Sequence, residues 1–368
     1  MSIVTLSQLC GQQTAIASLR SALVHQGAAG SWLLTGESGS GKRALALAFA
    51  MACCCTNPVA APPDACGECA ACLKTAAGEN PEVSVLTPAG ETFLIGQFWD
   101  RDSRGDPGAI ARNIHFAPNL GRMRVYILDG AERMSPAAAN SLLKVLEEPP
   151  DYAIFMLLAT HASRVLPTIV SRCRSIRLHP APIDELAEYI VQRHQIPPAE
   201  ARRCARVSHG LVGAAISLAV NPGVREEIDR VMAFAVTLPS APPVRALRVG
   251  EQIRKLAQQM KLAGAAEPAE VEEPSKERAS RRQCGAVIDL LAATYSDLLH
   301  LSVRGDADLD AVGGSDELRA AARGSNPRRW MRCMDSLVTA KCRIEAGANI
   351  ALVTDVLAME LLTVEARA

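Results

Sequence analysis

The feature that most constrains this chain is GESGSGKR at positions 36–43, set directly after the apolar run Ser31–Thr35 and directly before a run of helical character. A glycine-rich turn between a strand and a helix lets backbone N–H groups converge on phosphate oxygens. The helix N-terminus adds its partial positive charge at the same point. Gly36, Gly39 and Gly41 supply the turn, and Lys42 is placed to reach the terminal phosphates of a nucleotide. ATP or ADP is therefore the ligand to test for.

The next position breaks the pattern. A serine or threonine hydroxyl there would ligate magnesium, but the residue is Arg43. A guanidinium has no lone pair for a metal and brings a second positive charge beside Lys42, so magnesium is not expected to be held by this chain. The acidic partner of such a loop ends an apolar strand, and Val125–Asp129 supplies it in Asp129. Glu132, three positions on, reads as an acid at the start of a helix or loop, aimed elsewhere.

Short apolar runs alternate with helical patterns from Ser7 to about Leu178, which predicts an open parallel sheet with crossover helices. The predicted strands are Ser31–Thr35, Val83–Thr87, Arg124–Asp129, Ile154–Thr160 and Ser175–Leu178. A helix is predicted over Ala137–Glu147, N-capped by Ser135, started by Pro136 and stopped by Pro149 and Pro150. Residues 183–220 read as helices with a turn at 196–199, and the helical pattern continues from about 224 to 368. It is interrupted at Pro239–Pro243 and by a charged stretch at 264–282, read as a loop or solvated linker. Arg328, Arg329 and Trp330 read either as a surface patch or as a helix start.

With 368 residues, more than one domain is expected. Lys plus Arg and Asp plus Glu each total 39, so no global charge advertises a nucleic-acid surface. The longest apolar stretch, Ala44–Cys55, is too short to cross a bilayer, and no basic start with an apolar run opens the chain. A cytoplasmic location is expected.

Six of the twelve cysteines lie between Cys53 and Cys72. Cys66, Cys69 and Cys72 form C-x2-C-x2-C, and a fourth thiolate just upstream would close a tetrahedral zinc site with no open coordination position. Such zinc is structural: it folds a stretch whose prolines and glycine leave it little core of its own. The six scattered cysteines are expected to pack as small apolar residues.

SPAAANSLLKVLEEPP at 135–150 and LLATHASRVLPTIVSRCR at 157–174 closely resemble the core of the bacterial DNA polymerase III clamp-loader subunits, the gamma/tau and delta-prime proteins. SQLCGQQTAIASLRSAL at 7–23 resembles their opening, so the likeness covers roughly residues 5–220. The resemblance implies an AAA+ P-loop domain at 1–178 with a zinc module at about 53–75. A small helical lid at 179–222 and an all-α collar domain at 223–368 would follow. It also implies a fourth zinc ligand separated from Cys66 by eight residues, where Asn57 stands. Cys55, with ten residues between, is the choice with a two-residue insertion, and Cys53 and Cys54 are the alternatives.

By the same resemblance, Arg172 of the SRC run matches an arginine that reaches the ATP of a neighbouring subunit, an arginine finger. Thr160 falls at the position that senses the terminal phosphate. Gly130 stands where the family's ATPases carry a water-orienting glutamate, and Gly213 where the lid carries an arginine. Together with Arg43, these departures separate the chain from gamma/tau and point to a delta-prime-like subunit without turnover of its own. The implied partners are gamma/tau and delta subunits, the sliding clamp and primer-template DNA. A working gamma/tau-type ATPase and a regulatory AAA+ adaptor are the rival readings.

Overall fold

The computed structural model describes residues 4–24, 29–61, 63–88, 90, 92–99, 108–119, 122–238, 242–259, 276–304, 316–323 and 325–363. Internal contacts divide the chain into two compact units. One holds the residues up to Glu185 together with Leu211–Gly213; the other holds Leu186–Gly210 and nearly all that follows Ala214.

The first unit runs α1 (Gln13–Val24), β1 (Gly30–Thr35), α2 (Lys42–Cys54), the two-residue strands β2 (Val59–Ala60) and β3 (Pro63–Asp64), α3 (Ala70–Ala77) and β4 (Val83–Leu86). It continues with β5 (Arg124–Asp129), α4 (Pro136–Glu147), β6 (Ala153–Ala159), α5 (Pro167–Val170) and β7 (Arg174–Arg177). Five strands form one parallel sheet in the order β4-β5-β6-β1-β7. Each predicted strand is present, with its ends within one residue of expectation.

Continuous apolar strands arise because both faces of the sheet are covered. Val125 and Ile127 of β5, with Ile154, Met156 and Leu158 of β6, point into a core shared with α1 and α2. Their alternate neighbours Tyr126, Leu128, Phe155 and Leu157 point into a second core with α4. The sheet edge is tied by Arg124 and Glu82, buried almost completely and joined at 2.6 Å. This pair is the reason a charged residue is tolerated at the start of the interior strand β5.

From residue 183 the chain is helical: α6 (Ile183–His194), α7 (Pro198–Val207), α8 (Val212–Val220), α9 (Pro222–Thr237), α10 (Ala246–Gln259), α11 (Lys276–Arg304), α12 (Asp316–Ala322), α13 (Pro327–Glu345) and α14 (Ile350–Thr363). The core of the second unit is built by α9 to α14, with Tyr295 stacked on Trp330 at 5.6 Å between ring centroids.

Two sequence readings change here. Of the charged stretch 264–282, Lys276 onward opens the 29-residue helix α11, because its polar start leads without a break into the buried run Cys284, Val287, Ile288 and Leu291. Residues 264–275 lie outside the described residues. Arg328, Arg329 and Trp330 are a helix start, with Asn326 capping the Arg328 N–H and Trp330 buried. Gln283–Val303 is long and apolar enough to cross a membrane by length and composition, and its buried side chains belong to the second unit's core.

Candidate functional site

The loop of residues 36–41 leaves the carboxyl end of β1 and enters α2 through Gly41, whose φ of 92° a side chain would strain. Gly36 N–H donates to the carbonyls of Ala159 and Thr160 at 3.3 and 3.2 Å, which ties the loop to the end of β6. Lys42 turns back on its own loop, its Nζ donating to the carbonyls of Gly36 at 2.7 Å and Glu37 at 2.9 Å. Burial pushes the Lys42 ammonium pKa down, and the charges of Asp129, Glu132 and Glu37 work against that shift.

Arg43 stands in the second position of α2 and places Nη1 3.6 Å from Asp129 Oδ2. The guanidinium thus faces the carboxylate that would share a magnesium ion in a loop carrying serine or threonine. Burial raises the Asp129 pKa, and the positive charges of Arg43 and Lys42 oppose it.

Glu132 corrects the reading that it points away. Gly130, with φ 96°, reverses the chain after β5, and a single turn of 3-10 helix at Ala131–Arg133 brings the carboxylate back toward β6. Its Oε1 accepts from the Thr160 N–H at 3.2 Å and the Thr160 hydroxyl at 3.1 Å. Thr160 itself lies one residue past β6. The loop glycines, Lys42, Asp129 and Thr160 are therefore gathered at one end of the sheet, with Glu132 and Arg43 added to them. A signal for Glu132 was present in the glycine that precedes the turn, but a local pattern does not say where a reversed chain arrives.

Gly213 lacks the arginine side chain of a lid sensor. Its N–H donates to the Gly39 carbonyl at 2.8 Å, and an added Cβ would sit 3.2 Å from that oxygen. The close approach leaves little room for any larger residue.

Arg172 is partly exposed, and its side-chain partners are Glu147, Thr168 and Ser171 rather than loop residues. Its Nε donates to Glu147 Oε2 at 3.0 Å, and its Nη1 donates to the Thr168 carbonyl at 3.1 Å. The sequence signalled neither contact.

At the other end of α2, the Sγ atoms of Cys55, Cys66, Cys69 and Cys72 lie within 4.8 Å of one another. Separations of 3.5 Å for Cys55–Cys66, 3.8 Å for Cys55–Cys69, 3.9 Å for Cys66–Cys72 and 3.4 Å for Cys69–Cys72 match the roughly 3.8 Å edge of a tetrahedron with metal–sulfur distances of about 2.3 Å. Backbone N–H groups of Cys66 and Cys69 donate to the sulfurs of Cys55 and Cys66, as a thiolate shell requires. Burial works to raise the Cys69 thiol, but hydrogen bonds from Thr56 and Cys72 win and hold it at about 5. Cys53 and Cys54 are buried elsewhere, the latter with its thiol donating to the Met123 carbonyl at 3.3 Å. These four thiols could hold a metal ion, and they fit the donor set and geometry of zinc.

Asp64, in the hairpin of the cysteine module, accepts from the N–H groups of Leu6 and Ser7 at 3.1 and 2.7 Å. It also pairs with Arg20 at 3.4 Å. The module thereby anchors the segment before α1.

A parallel sheet with a glycine-rich loop at the carboxyl end of β1, an acid ending β5 and a polar residue after β6 defines an AAA+ P-loop protein, followed here by a helical region. Residues 11–182 match the family described as "DNA polymerase III, delta subunit". Over 143 residues the chain is 43% identical to the delta' subunit of DNA polymerase III from Pseudomonas aeruginosa, covering 39% of this chain and 41% of that one. Over 237 residues it is 29% identical to the tau/gamma subunit from Haemophilus influenzae, covering 62% of this chain and 33% of that one. A solved gamma subunit-related protein from Thermotoga maritima aligns over 94% of this chain and 98% of that one at 20% identity, with a TM-score of 0.42. The chain spans less than half the length of these two curated relatives. The chain is similar to the delta, delta' and tau/gamma subunits of DNA polymerase III, and the match to the family rests on residues 11–182.

Proposed function

We propose that this chain is a delta-prime-like subunit of a DNA polymerase III clamp loader that lacks ATPase activity of its own and lends Arg172 to a neighbouring ATPase. The observation that carries the reading is the Arg43–Asp129 pair: a fixed positive side chain faces the acid where catalysis needs a magnesium ion. Gly130 and Gly213 fit the same reading, since neither offers a side chain to orient water or to contact a terminal phosphate. The nucleotide loop is then degenerate, and any ATP or ADP it takes is held by Gly36, Gly39, Gly41 and Lys42, near Asp129 and Thr160.

In this reading the chain has three parts: an AAA+ domain at 1–178, a lid at 179–222 and a collar at 223–368. Its partners are gamma/tau and delta subunits, the sliding clamp and, through the complex, primer-template DNA in the cytoplasm. Zinc at Cys55, Cys66, Cys69 and Cys72 is structural. It would cross-link the end of α2 to the start of α3, and Asp64 would carry that rigidity to residues 6, 7 and 20.

One observation favours a rival, a gamma/tau-type ATPase: the Glu132 carboxylate reaches Thr160 and could act as an acid in the loop. Steady-state ATP hydrolysis in magnesium separates the two. The expected result is no turnover by this chain alone. Activity should appear in an assembly with gamma/tau and delta, and it should drop about a thousandfold with Arg172→Ala, the lower range for a lost arginine finger. Robust hydrolysis by the chain alone would sink the proposal.

A further inference from the structure

Helix α4 ends with a charge in the wrong place. Glu147 and Glu148 lie at the carboxyl end, where the helix dipole disfavours carboxylates. Glu147 is largely exposed and does not pack into either core. What it does is hold Arg172, accepting the Nε–H at 3.0 Å.

The second hold comes from the stretch that carries Arg172. Its Nη1 donates to the carbonyl of Thr168, a residue of the short helix α5, at 3.1 Å, and lies 3.4 Å from the Ser171 hydroxyl. A guanidinium is planar and carries five N–H donors in a fixed fork. Pinning Nε on one side and both Nη1 hydrogens on the other fixes the plane. The two Nη2 hydrogens are left, and among the described residues neither is donated to an acceptor. Two N–H groups on one nitrogen, held in a known direction at a partly exposed position, suit contact with a phosphoryl group brought by another molecule.

We infer that Glu147 is a positioning residue for catalysis in trans: it holds Arg172 so that Nη2 is presented to the nucleotide of the neighbouring subunit. The inference rests on the proposed finger role of Arg172. Without Glu147 the side chain keeps only the Thr168 and Ser171 contacts, and rotation about its long stem spreads Nη2 over many positions. The finger is then present but seldom aligned, which lowers turnover rather than nucleotide affinity.

The test is ATP hydrolysis by the reconstituted assembly carrying Glu147→Gln, Arg172→Ala or both. Glu147→Gln should lower kcat about tenfold with KM for ATP little changed. In the Arg172→Ala background it should cost nothing further, since there is no finger left to align. Thermal melting of the single chain should be the same with and without Glu147→Gln, because the pair is solvent-facing. A full effect of Arg172→Ala with none of Glu147→Gln would overturn this inference alone. Raised kcat in Glu147→Gln would also overturn it, by showing that the carboxylate restrains the finger. No effect of Arg172→Ala would overturn the finger role and this inference together.

Discussion

Helix α2 starts in one candidate site and ends in another, and the two ends have had different fates. At Cys55 the helix hands over a thiol to a cluster whose four sulfurs already stand at metal-binding separations. At Lys42 and Arg43 it enters a phosphate loop whose backbone is intact but whose metal ligand is replaced by a guanidinium paired with Asp129. The comparison teaches that the two ends of a nucleotide-loop helix are separable. Under the proposed finger role, the chain would need the sheet, the loop and Arg172 held in register, and a structural metal at the cysteine end would help to hold the first of these. The same role has no need of the magnesium chemistry at the other end.

The comparison can be broken first at the cysteine end. Cys69→Ser, or treatment with a strong chelator, is expected to lower zinc content from about one ion per chain to far less and to destabilise the first unit by about 3 kcal/mol or more. Metal analysis and denaturant unfolding check it. An unchanged melt in a metal-free variant would mean that the cluster is not structural.

A scaffold test comes next. Glu82 is 1% exposed, pairs with Arg124 and also accepts the Asn119 N–H at 2.7 Å. Glu82→Gln leaves a buried guanidinium without its counter-charge and should cost about 3 kcal/mol in urea unfolding. Both ends of α2 rest on this sheet, so both sites should weaken together; a loss confined to one of them would show that the two ends also differ in their dependence on the sheet.

The second unit, for which neither a metal nor a nucleotide is proposed, supplies the reference. Burial pushes the Asp297 carboxyl up to about 6, against the pull of Arg206. A folded-state value above the ordinary one means that the folded chain holds the proton more tightly. That stability is complete below about pH 4 and is lost as pH rises through about 6. Asp297→Asn should therefore stabilise this unit at pH 7 by roughly 1–2 kcal/mol and flatten the pH 4–6 slope of its unfolding free energy. A steeper slope in the variant would show that the sign is wrong.

The smallest effect is expected at the loop itself. Arg43→Ser removes a half-exposed pair and should change stability by less than about 1 kcal/mol. It should not restore magnesium-dependent hydrolysis, because Gly130 and Gly213 are unchanged. Turnover appearing in this single variant would mean that Arg43 alone silences the site.

Much of the first unit was legible in advance because its inner strands β1, β5 and β6 are buried on both faces and so read as largely apolar runs. The second unit was legible only as helix: α11 begins inside a stretch whose charges read as a linker, since a helix start at the surface is as polar as a loop. The glycines, Lys42, Asp129, Thr160 and the C-x2-C-x2-C run were readable because their chemistry is tied to local spacing. The fourth cysteine was not fixed by spacing: the family resemblance favoured Cys55 with a two-residue insertion and left Cys53 and Cys54 open, and the geometry brings Cys55 to the cluster.

By itself, then, the sequence determined the parallel sheet, the phosphate loop, its missing metal ligand and the cysteine cluster, all of which follow from short-range pattern. Only the tertiary structure decided that Arg43 faces Asp129, that Glu132 returns to Thr160, that Gly213 meets Gly39 and that Glu147 holds Arg172. Those contacts join residues from different helices, strands and turns. Their distances depend on how the sheet and its crossovers pack, which no local spacing encodes.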